Sequence, residues 1–217
     1  MKVNEGGTKM KGIFIVIEGI DGAGKGYVMM RLQEYIMGRS KKYDNLLLTR
    51  EPTNKLEGQK LREMLANESD PLANARTTLE FFVADRKKHL EEDILPALEK
   101  GYVVLCDRYR YSTMAFQTAQ GLKMEECIEA NKDFPAPDLV ILLDLPSKQA
   151  LWRIHERDGR RRDKFEDQEF MEKVRQNYLQ IAKTSNDKFA IIDASKDKEV
   201  VAARVQEAVE KAGILPY

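Results

Sequence analysis

The sequence predicts an α/β protein in three layers, a five-stranded parallel sheet flanked by helices. Three observations predict it. Apolar runs of strand length alternate with helical spacings along the 217 residues. The inner runs are nearly continuous rather than alternating, as strands covered on both faces must be. The first run empties into a glycine-rich turn that opens a helix, the junction at which α/β sheets cradle phosphate. The length suits one large domain, and no internal repeat or low-complexity linker divides it.

Residues 1–10 are polar and Gly-containing and read as a flexible extension, with Met10 as an alternative start; 11–217 then form the single domain. The first strand is Ile13 to Glu18. Val28, Leu32, Tyr35 and Ile36 recur at helical spacing and give a helix over Val28 to Met37. A second strand, Leu46 to Thr49, precedes helices over Glu57 to Ala66 and Arg76 to Leu98, the latter to be kinked or divided by Pro96. Strands follow at Tyr102 to Asp107, Leu139 to Asp144 and Phe189 to Asp193. Helices over Ser147 to Glu156, Glu166 to Lys183 and Glu199 to Lys211 complete the alternation. Ligands of open parallel sheets gather at the carboxyl ends of the strands, which here carry Asp21, Arg50-Glu51, Asp107-Arg108 and Asp144.

Composition narrows the partners. Lys plus Arg equals Asp plus Glu at 36 each, so no overall field draws the chain to nucleic acid or to an anionic membrane. No apolar run approaches spanning length and no signal peptide is visible, which makes the cytoplasm the expected address. Cys106 and Cys127 have neither metal nor redox spacing; both are expected reduced, Cys106 as core packing. His89 and His155 lack metal-like partners and are expected to be surface or packing residues.

Gly19-Ile20-Asp21-Gly22-Ala23-Gly24-Lys25-Gly26 is a phosphate-binding loop lacking its last member. Successive backbone N–H groups turn toward a polyphosphate while Lys25 reaches the β/γ-phosphates. The usual final Ser or Thr ligates Mg2+ through its hydroxyl; Gly26 supplies none, and neither Tyr27 nor Val28 replaces it. The fold expected is therefore the three-layer P-loop NTPase fold with a small lid segment.

Several further motifs resemble one family, thymidylate kinase, from Gly12 to about Ala194. Glu18 to Lys25 is similar to its Glu-Gly-x-Asp-Gly-x-Gly-Lys loop, and Thr49-Arg50-Glu51-Pro52 to its second signature. Ala84-Asp85-Arg86 with His89 resembles the third. Asp107-Arg108-Tyr109 with Ser112 and Ala115-Phe116-Gln117 resembles the fourth, and Pro137-Asp138-Leu139 with Leu143-Asp144 the segment before the lid. The basic run Arg153, Arg157, Asp158-Gly159-Arg160-Arg161-Arg162-Asp163-Lys164 resembles the lid of the bacterial-type subgroup, which Ala23 also fits; the lid spans about 153–165.

The resemblance implies transfer of the ATP γ-phosphoryl to the 5′-phosphate of thymidine monophosphate (dTMP), giving dTDP and ADP in dTTP synthesis, with Mg2+ and in a homodimer. A phosphate monoester with a second pKa near ~6 is already ionised at neutral pH, so no general base is needed; positioning and charge neutralisation suffice. ATP is assigned to Gly19, Gly22, Ala23, Gly24, Lys25, Gly26 and Arg153, and catalysis to Lys25, Asp107, Arg108, Arg157 and Arg161, with Asp107 on the metal. The resemblance assigns dTMP to Asp21 at the sugar 3′-hydroxyl, Phe82 stacked on thymine, Arg86 at a ring carbonyl and Gln117 at the base edge. Glu51, Pro52, Arg62, Arg108, Ser112 and Thr113 complete that set.

Plainer readings stand beside these. Asp107-Arg108 could be a helix cap or surface pair, Asp21 a turn former, Arg62 a solvated helix arginine, and the basic run a solvated face. Phe81 points to another face than Phe82 and is expected in the core. Departures also count: Gly26, Phe116 where tyrosine is common, and Thr53-Asn54 where a glycine pair is frequent. Slow but detectable transfer is expected. Two alternatives stay open: another nucleoside monophosphate kinase or a deoxynucleoside kinase, the latter needing a carboxylate base such as Glu51, and a nucleotide-binding protein of weakened catalysis.

Overall fold

In the computed structural model, residues 12–39, 45–67, 74–158 and 165–215 are described. Five parallel strands, β1 (Ile13–Glu18), β2 (Leu46–Arg50), β3 (Val103–Asp107), β4 (Leu139–Asp144) and β5 (Phe189–Asp193), form one sheet in the order β2-β3-β1-β4-β5. Helices α1 (Lys25–Arg39), α2 (Leu56–Asn67), α3 (Ala75–His89), α4 (Leu95–Glu99), α5 (Arg110–Ala119), α6 (Met124–Glu129), α7 (Ser147–Asp158), α8 (Phe165–Thr184) and α9 (Lys198–Ala212) flank it. This is the P-loop NTPase architecture, and the expected strands lie where the apolar runs placed them.

Burial explains why those runs were legible. Residues Phe14 to Ile17 of β1 and Leu139 to Leu143 of β4 are buried, whereas the edge strands β2 and β5 leave Leu48 and Ile191 exposed. Parallel pairing sets Arg50 beside Asp107 and Ile17 beside Asp107, so the carboxyl ends of β2, β3 and β1 finish level. At the opposite end the Asp138 carboxylate accepts from the Phe14 N–H at 2.7 Å, closing the start of β1.

Two helical expectations are refined. The span Arg76 to Leu98 is divided, but the break precedes Pro96: Leu90–Ile94 forms one π-helical turn between α3 and α4. Pro96 lacks an N–H and its ring collides with the carbonyl four residues back in a regular helix. The coil widens one step ahead of it, where the Leu95 N–H reaches the Leu90 carbonyl. Helices α5 and α6 were not anticipated at all. Tyr111, Ser112, Thr113, Met114, Ala115 and Gln117 are all buried, so the covered side of α5 mixes polar with apolar residues and does not read as a continuous apolar stripe.

Candidate active site

The phosphate loop runs from β1 into α1, and its glycines are required by its path. Gly22 has φ 81°, and a Cβ there would lie 2.5 Å from the Ala150 carbonyl oxygen; Gly19 has φ 144° and would meet the Leu143 oxygen at 2.8 Å. Lys25, buried as the first residue of α1, donates to the Gly19 and Ile20 carbonyls at 3.1 and 3.2 Å. The loop thus curls around its own lysine. Burial pulls the Lys25 ammonium down to a pKa of about 8, with Arg108 adding to the effect. Gly26 is exposed, and a Cβ built there has no heavy atom within 4 Å.

Arg108 follows β3 with φ 69°, a left-handed conformation unusual for a non-glycine residue. Its Nη2 donates to Asp21 Oδ1 at 2.7 Å, and Lys25 Nζ lies 3.9 Å from the same oxygen. Two cations from separate elements therefore converge on one exposed carboxylate. Arg108, with help from Lys25 and Arg157, holds the Asp21 carboxyl at about 2, although protein crowded around the exposed group strips some of its hydration. These cations offset the negative charge at Asp21, so the carboxylate is ion-paired and more than a turn former.

Behind Arg108 sits a buried carboxylate. Glu18 accepts from the Tyr109 and Ser112 N–H groups at 2.9 and 3.2 Å and lies 2.7 Å from Ser112 Oγ and 2.9 Å from the Tyr178 hydroxyl. It therefore anchors the first turn of α5 to the end of β1, in place of a side-chain cap at Tyr109. Asp107 is no cap either. Among the described residues its Oδ1 is buried without a hydrogen-bond partner, a carboxylate oxygen left open at the end of β3.

On the other side of the sheet end, Glu51 is buried with both oxygens engaged. Arg86 Nε donates to Oε2 at 2.8 Å and His89 Nδ1 lies 3.2 Å from Oε1. The Glu51-Pro52 peptide is cis. Arg86, fully buried, also donates to Thr113 Oγ1 at 2.7 Å and to Asn131 Oδ1, and its guanidinium faces the Tyr109 and Phe134 rings. Asp85 takes the Thr53 N–H at 2.8 Å and the Thr53 hydroxyl at 2.5 Å, so the residue standing in the glycine-pair position is clamped to α3.

The remaining assignments divide. Arg62 donates to the Pro52 carbonyl and is half-buried, so it is not simply solvated. Gln117 is buried; its amide donates to Gln120 Oε1 at 2.9 Å while its own oxygen has no partner among the described residues. Phe82 is half-buried, and Phe81 is too; among the described residues neither joins the main apolar cluster, which corrects the expectation that Phe81 is core. Arg153 donates to the Ala194 carbonyl at 2.9 Å, and Arg157 is exposed in the last turn of α7. Arg161 and most of the lid span, 159–164, lie outside the described residues.

Sequence reasoning missed two participants, Asn131 and Tyr178, and left His89 between surface and packing. His89 is packed, fully buried between Glu51 and Thr49, whose Oγ1 lies 2.6 Å from Nε2. Asn131 and Tyr178 lie far along the chain from what they hold, and no local pattern marks them. Glu18 did carry a signal: a carboxylate closing an apolar strand is costly unless several donors surround it.

The comparisons with known proteins bear on this geometry. The family model described as thymidylate kinase matches residues 17–205. The chain belongs to the thymidylate kinase family. It is 38% identical over 210 residues to a thymidylate kinase of Brachyspira hyodysenteriae, covering 95% of this chain and 98% of that one. A probable thymidylate kinase of Pyrococcus abyssi is 43% identical over 178 residues, covering 80% of this chain and 84% of the relative. The thymidylate kinase of Thermosipho melanesiensis is 36% identical over 202 residues, covering 91% and 98%. Two of the motifs quoted from the sequence, Glu18 to Lys25 and Asp107-Arg108-Tyr109, contain the convergent cations Lys25 and Arg108. Among the described residues no helix is long and apolar enough to cross a membrane.

Proposed function

We propose that the chain transfers the γ-phosphoryl group of ATP to the 5′-phosphate of dTMP. Family membership supports the reaction, and one geometric observation carries it to these residues. Lys25 and Arg108 approach the same Asp21 oxygen at 3.9 and 2.7 Å, from the phosphate loop and from the end of β3. Two cations that share one carboxylate can share a pair of phosphates, Lys25 on the donor and Arg108 bridging donor and acceptor. Asp21 then turns to the incoming sugar, and Phe82, Arg86 and Gln117 take the base, with Thr113 holding Arg86 in place. Arg62, tied to Pro52 beside the acceptor turn, is the candidate for the acceptor phosphate. Arg153, Arg157 and Arg161 complete the donor side from the lid segment.

Mg2+ fits the donor set. It commonly binds one or two carboxylates plus substrate phosphates rather than a protein cage, and Asp107 offers a buried oxygen with no other partner. Asp107 would hold the ion, directly or through water, and the ion would neutralise charge on the β- and γ-phosphate oxygens. Gly26 contributes no ligand, so transfer is expected to be slow but measurable.

The engaged state of Glu51 favours a monophosphate over a nucleoside as acceptor. A nucleoside 5′-hydroxyl needs a carboxylate base, and both Glu51 oxygens are already occupied by Arg86 and His89. The test is ADP release with ATP and Mg2+, each nucleoside and each nucleoside monophosphate offered separately. Turnover with dTMP and none with thymidine is expected. A preference for a purine monophosphate rejects the base pocket, and calorimetry showing dTMP bound without turnover favours a nucleotide-binding protein of weakened catalysis.

A further inference from the structure

Arg108 is the residue on which the functional reading leans hardest, and its guanidinium is steered by a helix that reading does not use. Nη1 donates to Ser112 Oγ at 3.0 Å and to the Tyr178 hydroxyl at 3.1 Å, while Nη2 goes to Asp21. Tyr178 lies near the middle of α8, 70 residues from Arg108 in sequence. Its ring is buried and meets Phe116 edge-on at 6.4 Å; Phe116 in turn lies beneath the Arg108 guanidinium at 5.0 Å.

The hydroxyl protons explain why this contact orients rather than merely touches. Ser112 Oγ and the Tyr178 hydroxyl lie 2.7 Å apart, and each also faces Glu18 Oε2, at 2.7 and 2.9 Å. Each hydroxyl has one hydrogen, and this triangle absorbs both. Whichever way those hydrogens are shared, both oxygens turn lone pairs outward, and Nη1 offers one N–H to each. A fork aimed at two fixed acceptors has a set plane as well as a set position. Arg108 needs that constraint because its own backbone sits in a left-handed conformation and its other nitrogen rests on an exposed, exchangeable carboxylate.

We propose that Tyr178 is a positioning residue for phosphoryl transfer, its hydroxyl fixing the plane of the Arg108 guanidinium so that the group meets both phosphates in the transition state. The proposal rests on the role given to Arg108 above. Arg175 and Glu172 lie one and two turns earlier on α8. Arg175 grips Asp144 at 2.6 and 3.1 Å, and Glu172 accepts from the Ser147 N–H at 3.2 Å. The hydroxyl is thus delivered by a helix fastened both to the end of β4 and to the start of α7.

Tyr178→Phe removes the hydroxyl and keeps the ring, so folding is expected to survive with a melting temperature within about 4 °C of wild type. A displaced guanidinium misses a charge that develops only during transfer. The variant should therefore lose about 10- to 100-fold in kcat while KM for ATP and for dTMP stays within about threefold. In an Arg108→Lys background the same change should cost under about threefold, since a lone ammonium cannot span both hydroxyls and Asp21. Equal losses in the two backgrounds, a raised KM with unchanged kcat, or a fall in stability alone would each overturn the proposal. If wild type transfers nothing to dTMP, the functional reading falls instead. The positioning claim is then judged by crystal structures of wild type and Tyr178→Phe: a rotated Arg108 guanidinium sustains it, and an unmoved one ends it.

Discussion

At Gly26 the chain lacks a side chain that it has room for, with no heavy atom within 4 Å of a built Cβ. Gly26→Ser should therefore place a hydroxyl at the start of α1 without strain and also favour the helix. A missing Mg2+ ligand costs about 1 to 3 kcal/mol, so the variant is expected to turn over roughly ten to a hundred times faster and to saturate at lower Mg2+. Rates measured across a Mg2+ titration check both effects. Lys25 gives a second prediction at this scale. With its ammonium at about pKa 8 in the free protein, kcat/KM for ATP should fall above pH 8 as the charge is lost. At saturating ATP, kcat should hold to higher pH, because bound phosphates restore the proton. Stability runs the other way. Burial lowers the folded value below the unfolded 10.5, so between about 8 and 10.5 the unfolded chain holds a proton that the folded chain does not, and rising pH favours folding. Lys25 and Gly26 were legible in sequence because a loop motif is local. Tyr178 and Asn131 were not, and His89 read only as surface or packing, because each matters through a partner brought to it by the fold.

Between elements, the acceptor side depends on a close approach of α2 to the turn after β2. A Cβ on Gly58 would lie 2.1 Å from the Thr53 carbonyl oxygen, a backbone atom, and Thr53 is itself fixed by Asp85 of α3. Gly58→Ala must push α2 from that turn, at a cost of about 1–3 kcal/mol. For a chain of this length the melting temperature should drop by roughly 2–12 °C. Because Arg62 of α2 is bonded to the Pro52 carbonyl in the same turn, KM for dTMP should rise while KM for ATP stays unchanged. A stability loss with both constants unaltered would separate this turn from the acceptor. The same scale shows where periodicity succeeds and fails. The strands declared themselves by continuous apolar runs, and the two-faced helices α1, α7, α8 and α9 by their spacing. The covered side of α5 is partly polar and went unread, yet it carries Ser112, Thr113 and Gln117 into the site.

For the molecule as a whole, the ends of β1, β2 and β3 gather two sets of cations, each now bonded within the protein. On the donor side Lys25 bonds to loop carbonyls; on the acceptor side Arg108 holds Asp21 and Arg62 holds Pro52. Binding must exchange these contacts for phosphate oxygens rather than create new ones from solvent, so the net gain at each site is a difference. Ligands that make the exchange still stabilise the fold by mass action, about 2.7 kcal/mol at one hundred times Kd, or roughly 5–11 °C for a domain of this size. ATP and dTMP should each raise the melting temperature on that scale. Thymidine should raise it far less, because without its phosphate it offers nothing in return for the Arg62 and Arg108 contacts. Thermal shift measurements with the three compounds test this in the absence of turnover. An equal shift from thymidine and dTMP would mean that the arginines at the strand ends do not read the acceptor phosphate, and the acceptor site would have to be sought elsewhere on the sheet.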